Sequence, residues 1–153
     1  MKDPDSSDNL YYTAIIYLNK KEYEKGLQLL TKICEKCPGY KKSIFLFAAI
    51  SAKNLDKIHE AYDLCSQGLQ EYPSYGDLYA YRAKICEMRS DYEQAHQDYE
   101  KILAHDKSNT EIYVKNADVL KKMGAYSNCL SNLASALYVD KGEFKKDILQ
   151  RRV

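Results

Sequence analysis

Leu78-Tyr79-Ala80-Tyr81-Arg82-Ala83-Lys84-Ile85-Cys86, then Arg89-Ser90-Asp91, then Tyr92-Glu93-Gln94-Ala95-His96-Gln97-Asp98-Tyr99-Glu100-Lys101-Ile102-Leu103 is the stretch that decides the fold. Leu78, Tyr79, Arg82, Ala83 and Cys86 repeat at i, i+3, i+4, i+7, the period of one helix face. Arg89-Ser90-Asp91 interrupts, and Tyr92, Ala95, Tyr99, Ile102 and Leu103 begin a second apolar face. The segment therefore predicts two amphipathic helices joined by a tight turn.

The same register recurs on both sides. Ala14, Ala49, Ala83 and Ala117 are spaced 35, 34 and 34, as are Gly26, Ala61, Ala95 and Cys129. Two tracks of larger residues keep the same steps: Leu10, Phe45, Tyr79, Tyr113 and Tyr23, Ile58, Tyr92, Tyr126. The extra residue fits the turn Pro38-Gly39-Tyr40-Lys41, where an insertion costs little. Small residues suit helix crossings, because axes approach to about 8–10 Å only where side chains are small. A single helix pair cannot bury its apolar face alone, so units stack and share a core. Ser74-x-x-Asp77, Ser90-x-x-Glu93 and Ser108-x-x-Glu111 read as capping boxes at helix starts. Pro38-Gly39 and Pro73 read as stops, and no stretch alternates apolar and polar residues as a strand does.

With these residues on the page, the chain resembles the tetratricopeptide repeat family. Phe45, Ala48-Ala49, Ala61, Gly68 and Pro73 stand at the family's marked places in one unit, and Tyr113, Ala117, Gly124, Tyr126, Leu133 and Ala136 in another. Thr13, Arg82 and Asn116 depart from the family's usual Leu, Lys107 and Lys141 from its closing Pro, and Trp is absent. The resemblance implies an all-α fold, a right-handed superhelix (an α-solenoid) of about four helix-turn-helix units with a C-terminal capping helix. The expected division is an N-terminal arm over 1–6, units over about 7–41, 42–75, 76–109 and 110–142, and a capping helix or further repeat over 143–153. The apolar side of that last helix would be Phe144, Ile148 and Leu149.

Composition agrees with a folded helical chain. Of 153 residues, 45% are hydrophobic and 29% charged, with 3 Pro and 6 Gly, which excludes a disordered or collagen-like chain. The formal net charge of +1 gives no bulk field toward nucleic acid or an anionic membrane. No apolar window approaches the roughly 18 residues of a membrane span, and the polar start MKDPDSSDN is unlike a signal peptide. A cytoplasmic location, or a nuclear one, is expected, and five cysteines there fit reduced thiols.

Catalysis has no visible carrier. Cys34-x-x-Cys37 lacks the second pair that a zinc site uses, and it falls at a helix end; Cys65, Cys86 and Cys129 take apolar core positions. His59, His96 and His105 have no triad partners at consistent spacing and read as surface or rim residues. There is no phosphate loop, so no cofactor, metal or small-molecule substrate is expected and the chain is read as non-enzymatic. Of the fifteen tyrosines, Tyr17, Tyr23, Tyr79, Tyr92, Tyr99, Tyr113 and Tyr126 fall at packing positions of the repeat, which weakens a base-stacking role. From 141 to 153 there are five basic and two acidic residues, an RNA-binding alternative that the excess of Lys over Arg disfavours.

In this family the first helices line a concave groove, and the resemblance places Tyr11, Ile15, Leu18, Leu46, Phe47, Ile50, Asn54, Tyr81, Lys84 and Lys115 there. Glu87, Val114, Asp118 and Lys122 complete that face. Some members clamp an acidic chaperone tail with Lys, Asn and Arg; here Tyr11, Ile15, Phe47, Asp77 and Tyr81 stand at those places, which speaks against that role. The expected function is a protein-interaction scaffold that holds a partner's peptide or helix. The alternatives are a structural part of a larger assembly and an RNA-associated repeat; self-association through the same face stays open.

Overall fold

The computed structural model describes residues 6–140 and 149–151. Eight helices are assigned among them: α1 (Ser7–Asn19), α2 (Tyr23–Lys36), α3 (Ser43–Asn54), α4 (Ile58–Glu71), α5 (Gly76–Met88), α6 (Tyr92–His105), α7 (Thr110–Lys122) and α8 (Tyr126–Val139). No strand occurs among the described residues. The chain forms two compact units, Met1–Leu78 and Tyr79–Val153.

In the first unit α1 packs on α2, α2 on α3 and α3 on α4. Ala14, Ala49 and Ala61 are wholly buried at these contacts, and Leu30, Ile33 and Ile44 fill the space between them. Gly68 sits where a Cβ would come within 2.6 Å of Leu78 Cδ1 and 2.7 Å of Phe45 Cβ, so α3 and α4 approach as closely as a bare backbone allows. In the second unit α6 packs on α7 and α7 on α8. Val114, Ala117, Leu120, Cys129, Leu133 and Ala136 form one core cluster there, with Tyr113 and Leu137 against it.

Each first helix ends in the same way. Lys21, Asp56, Ser90 and Gly124 take positive φ of 62°, 60°, 59° and 78°, again at steps of 35, 34 and 34. The next residue's N–H reaches back five positions: Glu22 to Tyr17, Lys57 to Ala52, Asp91 to Cys86 and Ala125 to Leu120. This is the Schellman arrangement, which satisfies otherwise orphaned carbonyls and reverses the chain within one turn. Only Gly124 meets the left-handed requirement without a Cβ penalty.

The expected capping boxes are displaced by one residue. Ser90 is the left-handed residue that closes α5, and the N-cap of α6 is Asp91, whose carboxylate accepts from the Gln94 N–H. Likewise Asn109, not Ser108, caps α7 by accepting from Ile112 N–H; Ser108 bonds Asp106 instead. Ser74 precedes α5 by two residues and is not its N-cap. Ser6, assigned to the N-terminal arm, caps α1 through the Asn9 N–H. The helix expected over 143–153 lies largely outside the described residues, Phe144 and Ile148 included; Leu149 to Arg151 are helical, and Arg151 pairs with Asp118.

Candidate functional site

In the first unit, Ile15, Leu46, Phe47 and Ile50 are half-buried on α1 and α3, beside the fully buried Ala14 and Ala49. Tyr11 is fixed at two ends: its hydroxyl lies 3.1 Å from Ser43 Oγ, and its ring packs 6.3 Å from that of Phe47. Leu18 lies over Gly26, its Cγ 3.3 Å from where a Cβ would stand, so it serves the α1–α2 contact. Asn54 is exposed and bonds back to the Ile50 carbonyl. Two further apolar residues, Tyr12 at 59% and Ile16 at 53% exposure, belong to the same helix surface and were not singled out by spacing.

In the second unit the expected face is polar. Tyr81 is half-buried with the Lys84 ammonium 5.9 Å from its ring centre, and Lys115 is paired with Glu111 at 2.7 Å. Glu87 is engaged by the Tyr99 hydroxyl, which donates to it at 2.6 Å. Burial and that contact hold the Tyr99 phenol far above its ordinary range. Val114, expected on the inner face, is instead buried in the core cluster, because α7 turns it toward α8. Tyr126, expected to pack, is 64% exposed.

Two of the family departures noted in the sequence, Arg82 and Asn116, enter buried polar sets. Arg82 grips Asp98 with two hydrogen bonds, Nε to Oδ2 at 2.9 Å and Nη2 to Oδ1 at 2.7 Å, and Gln94 adds a third at 3.0 Å. Asp98 is 1% exposed. One repeat further, Asn116 is fully buried and donates to Glu100 and to Asn132 Oδ1, while its own Oδ1 lies 2.8 Å from His96 Nδ1. His96 is thus built into this network, whereas His59 and His105 are exposed. Among the described residues every buried side-chain N or O has a partner. Arg82 ties α5 to α6 and Asn116 ties α7 to α6 and α8, which explains why non-Leu residues are tolerated at 82 and 116: polar groups are buried in matched sets.

A cavity of about 340 Å³ opens on the second-helix side of the first unit, lined by Thr31, Cys34, Cys37, Tyr40, Phe45 and Gln67 among others. Its thiols differ from the core ones. Cys37 is exposed and Cys34 half-buried, with burial and Glu71 raising the Cys34 pKa; Cys86 is pushed up to about 12 by burial. The thiolate is the reactive form. Ellman's reagent at neutral pH should therefore modify Cys37 first, Cys34 slowly, and Cys65, Cys86 and Cys129 only on unfolding. Labelling of Cys86 as fast as Cys37 would show that the α5–α6 core opens freely. Among the described residues no group of three or more His, Cys, Asp or Glu is arranged to hold a metal ion.

A second cluster lies at the start of the first unit. The Lys41 ammonium stands 4.3 Å from the ring centre of Tyr11, 5.3 Å from that of Tyr40 and 5.4 Å from that of Tyr12. Tyr11 meets Tyr12 and Tyr40 edge-on, at interplanar angles of 74° and 63°. The Tyr40 hydroxyl donates to Asp8, a contact that pushes its pKa up to about 12.

No helix among the described residues is long and apolar enough to cross a membrane. No family model matches the chain. Among curated proteins it is similar to a DnaJ homolog subfamily C member 7 homolog of Dictyostelium discoideum, 27% identical over 136 residues, 85% of this chain and 25% of that protein. It is also similar to a TPR repeat-containing protein of Pseudomonas aeruginosa, 26% identical over 94 residues, 61% of this chain and 16% of that protein. The chain thus spans a quarter or less of the length of these relatives. Among solved structures, a tetratricopeptide repeat protein from Parabacteroides merdae matches 95% of this chain and 59% of its own with a TM-score of 0.85 at 14% identity. The first TPR of Spaghetti (RPAP3) bound to an HSP90 peptide matches 80% of this chain and 96% of its own, with a TM-score of 0.71 at 20% identity. With its helix-turn-helix units of about 34 residues and its small residues at the helix crossings, the chain has the tetratricopeptide repeat fold.

Proposed function

We propose that the chain is a non-catalytic protein-interaction scaffold, and that the first-helix face of its first unit receives an apolar peptide or helix of a partner. The observation that carries this reading is the band of partly exposed apolar side chains on α1 and α3: Ile15, Ile16, Leu46, Phe47 and Ile50, above crossings sealed by alanine. Apolar surface gathered on helix faces favours a ligand that buries it, and amphipathic helices seat in such faces. The Spaghetti neighbour, in complex with a peptide, supports a peptide-binding use of the fold. The ligand class differs from an acidic tail, since Tyr11, Ile15 and Phe47 put aromatic and aliphatic groups where a carboxylate clamp needs cations and amides.

The test is Ile15→Asp with Ile50→Asp. Both residues are partly exposed, so the far-ultraviolet helical signal should persist. Capture of the native partner from lysate, quantified by mass spectrometry, should fall by at least about tenfold, because an apolar segment cannot desolvate two carboxylates without compensation. Lys145→Glu with Lys146→Glu, at the basic end, should leave capture intact. The reverse pattern would make the basic end the functional surface and favour the RNA-associated reading, whose binding would fall steeply with salt.

A further inference from the structure

We propose that Tyr11, Tyr12 and Tyr40 form an aromatic cage for an alkylammonium group, which the chain's own Lys41 occupies in cis and which a lysine or methylated-lysine side chain of a partner enters by displacing it. The three ring centres lie 4.3–5.4 Å from the Lys41 ammonium, inside the roughly 6 Å range of a cation–π contact. Tyr11 stands edge-on to both Tyr12 and Tyr40 rather than stacking on them, and the one ammonium lies over all three rings. Aromatic faces carry the negative part of the ring quadrupole, and several converging on one point select a cation over an apolar group of equal size. Asp8 strengthens the selection twice. Its carboxylate adds negative charge at the rim, and by accepting from the Tyr40 hydroxyl it holds that ring in place and enriches it in electrons.

The present occupant shows what chemistry the cage accepts: a primary ammonium on an aliphatic stem. It also shows why the site is exchangeable. Lys41 lies in the short connection between α2 and α3, outside both helices, so turning its side chain into water requires no change in either. Tyr12 is 59% exposed, so one wall of the cage faces solvent and admits a ligand from outside. The sequence reading absorbed Tyr11 into the apolar groove and left Tyr12, Tyr40 and Lys41 without a role; their juxtaposition is a product of the α2–α3 connection folding back on α1.

Although Tyr11 belongs to both surfaces, this inference does not need a peptide in the groove, and the probe is chosen accordingly. Choline is titrated into the full chain and into Lys41→Ala and Lys41→Gln while the tyrosine ring resonances are followed by NMR, with helical content checked by circular dichroism. A cis occupant lowers apparent affinity by the fraction of cages left empty, so an occupancy near nine-tenths predicts about tenfold tighter choline binding once Lys41 is removed. Tyr12→Ala, at an exposed position, should abolish the gain in the Lys41→Ala background. The uncharged carbon isostere of choline should not bind. Butylammonium, with the lysine head group, binding as well as choline points to an unmethylated lysine as the natural ligand; preference for choline points to a methylated one. No choline binding by either Lys41 variant, equal binding of the isostere, or affinity unchanged by removing Lys41 would each overturn the proposal. None of these readings depends on whether Ile15 and Ile50 hold a peptide.

Discussion

Asp98→Ala should lower stability by about 3–5 kcal/mol, read as a shift in the urea midpoint, because it removes the carboxylate that accepts two hydrogen bonds from a largely buried guanidinium. The Arg82 side chain is 15% exposed and Asp98 1%, so neither partner is rescued by solvent as an exposed pair would be. Gln94 loses its acceptor in the same stroke. The companion experiment separates the cost of breaking the pair from its net worth. Buried ion pairs replaced whole by apolar residues are often neutral or stabilising by about 1–4 kcal/mol. Arg82→Leu with Asp98→Leu, which restores at 98 the residue type that the equivalent positions 29 and 64 already carry, should therefore recover most of the loss. A double variant as unstable as Asp98→Ala would mean that the pair sets the α5–α6 geometry and cannot be exchanged for apolar packing. Asp98→Ala with an unchanged midpoint would mean that the two side chains are hydrated in solution.

Gly68→Ala should be destabilising by about 1–3 kcal/mol, and Gly68→Val by more, although alanine in a helix interior ordinarily gains up to about 1 kcal/mol over glycine. The sign is decided by distance. A new methyl would lie 2.6 Å from Leu78 Cδ1 and 2.7 Å from Phe45 Cβ. Leu78 could turn its terminal carbon aside, but Cβ of Phe45 moves only with the α3 backbone, so α3 and α4 must separate. Gly76, with nothing within 4 Å of its virtual Cβ, is the matched control, and Gly76→Ala should cost little. A stabilised Gly68→Ala protein would show that α3 and α4 are further apart than described.

The crossings were legible in the sequence because their constraint acts on one residue at a time. A helix pair that approaches closely excludes any large side chain at the contact, so Ala14, Ala49, Ala83 and Ala117 stand at regular steps whatever their neighbours are. That same constraint fixed the helix order and the turn at Arg89-Ser90-Asp91 without reference to three dimensions. The left-handed residues were not legible. Lys21, Asp56 and Ser90 share a conformation with Gly124 but no residue type, since the Schellman bonds around each override its local preference. For that reason the cap read as Ser90 moved to Asp91, whereas Ser108 bonds Asp106 and leaves the cap of α7 to Asn109.

What the tertiary structure alone decided are the meetings of residues distant in sequence. The family resemblance marked Arg82 and Asn116 as departures from an apolar position, but it could not supply their partners, Asp98 for the first and His96, Glu100 and Asn132 for the second, which lie 16 to 20 residues away on other helices. Lys41 meets Tyr11 only because the α2–α3 connection folds back over α1, and Val114 is core rather than groove because α7 is rotated toward α8. Periodicity assigns a residue to a face of its own helix. Which neighbour that face meets, and at what angle, is set by how whole helices pack, a property of the sum of many side chains that no single position carries.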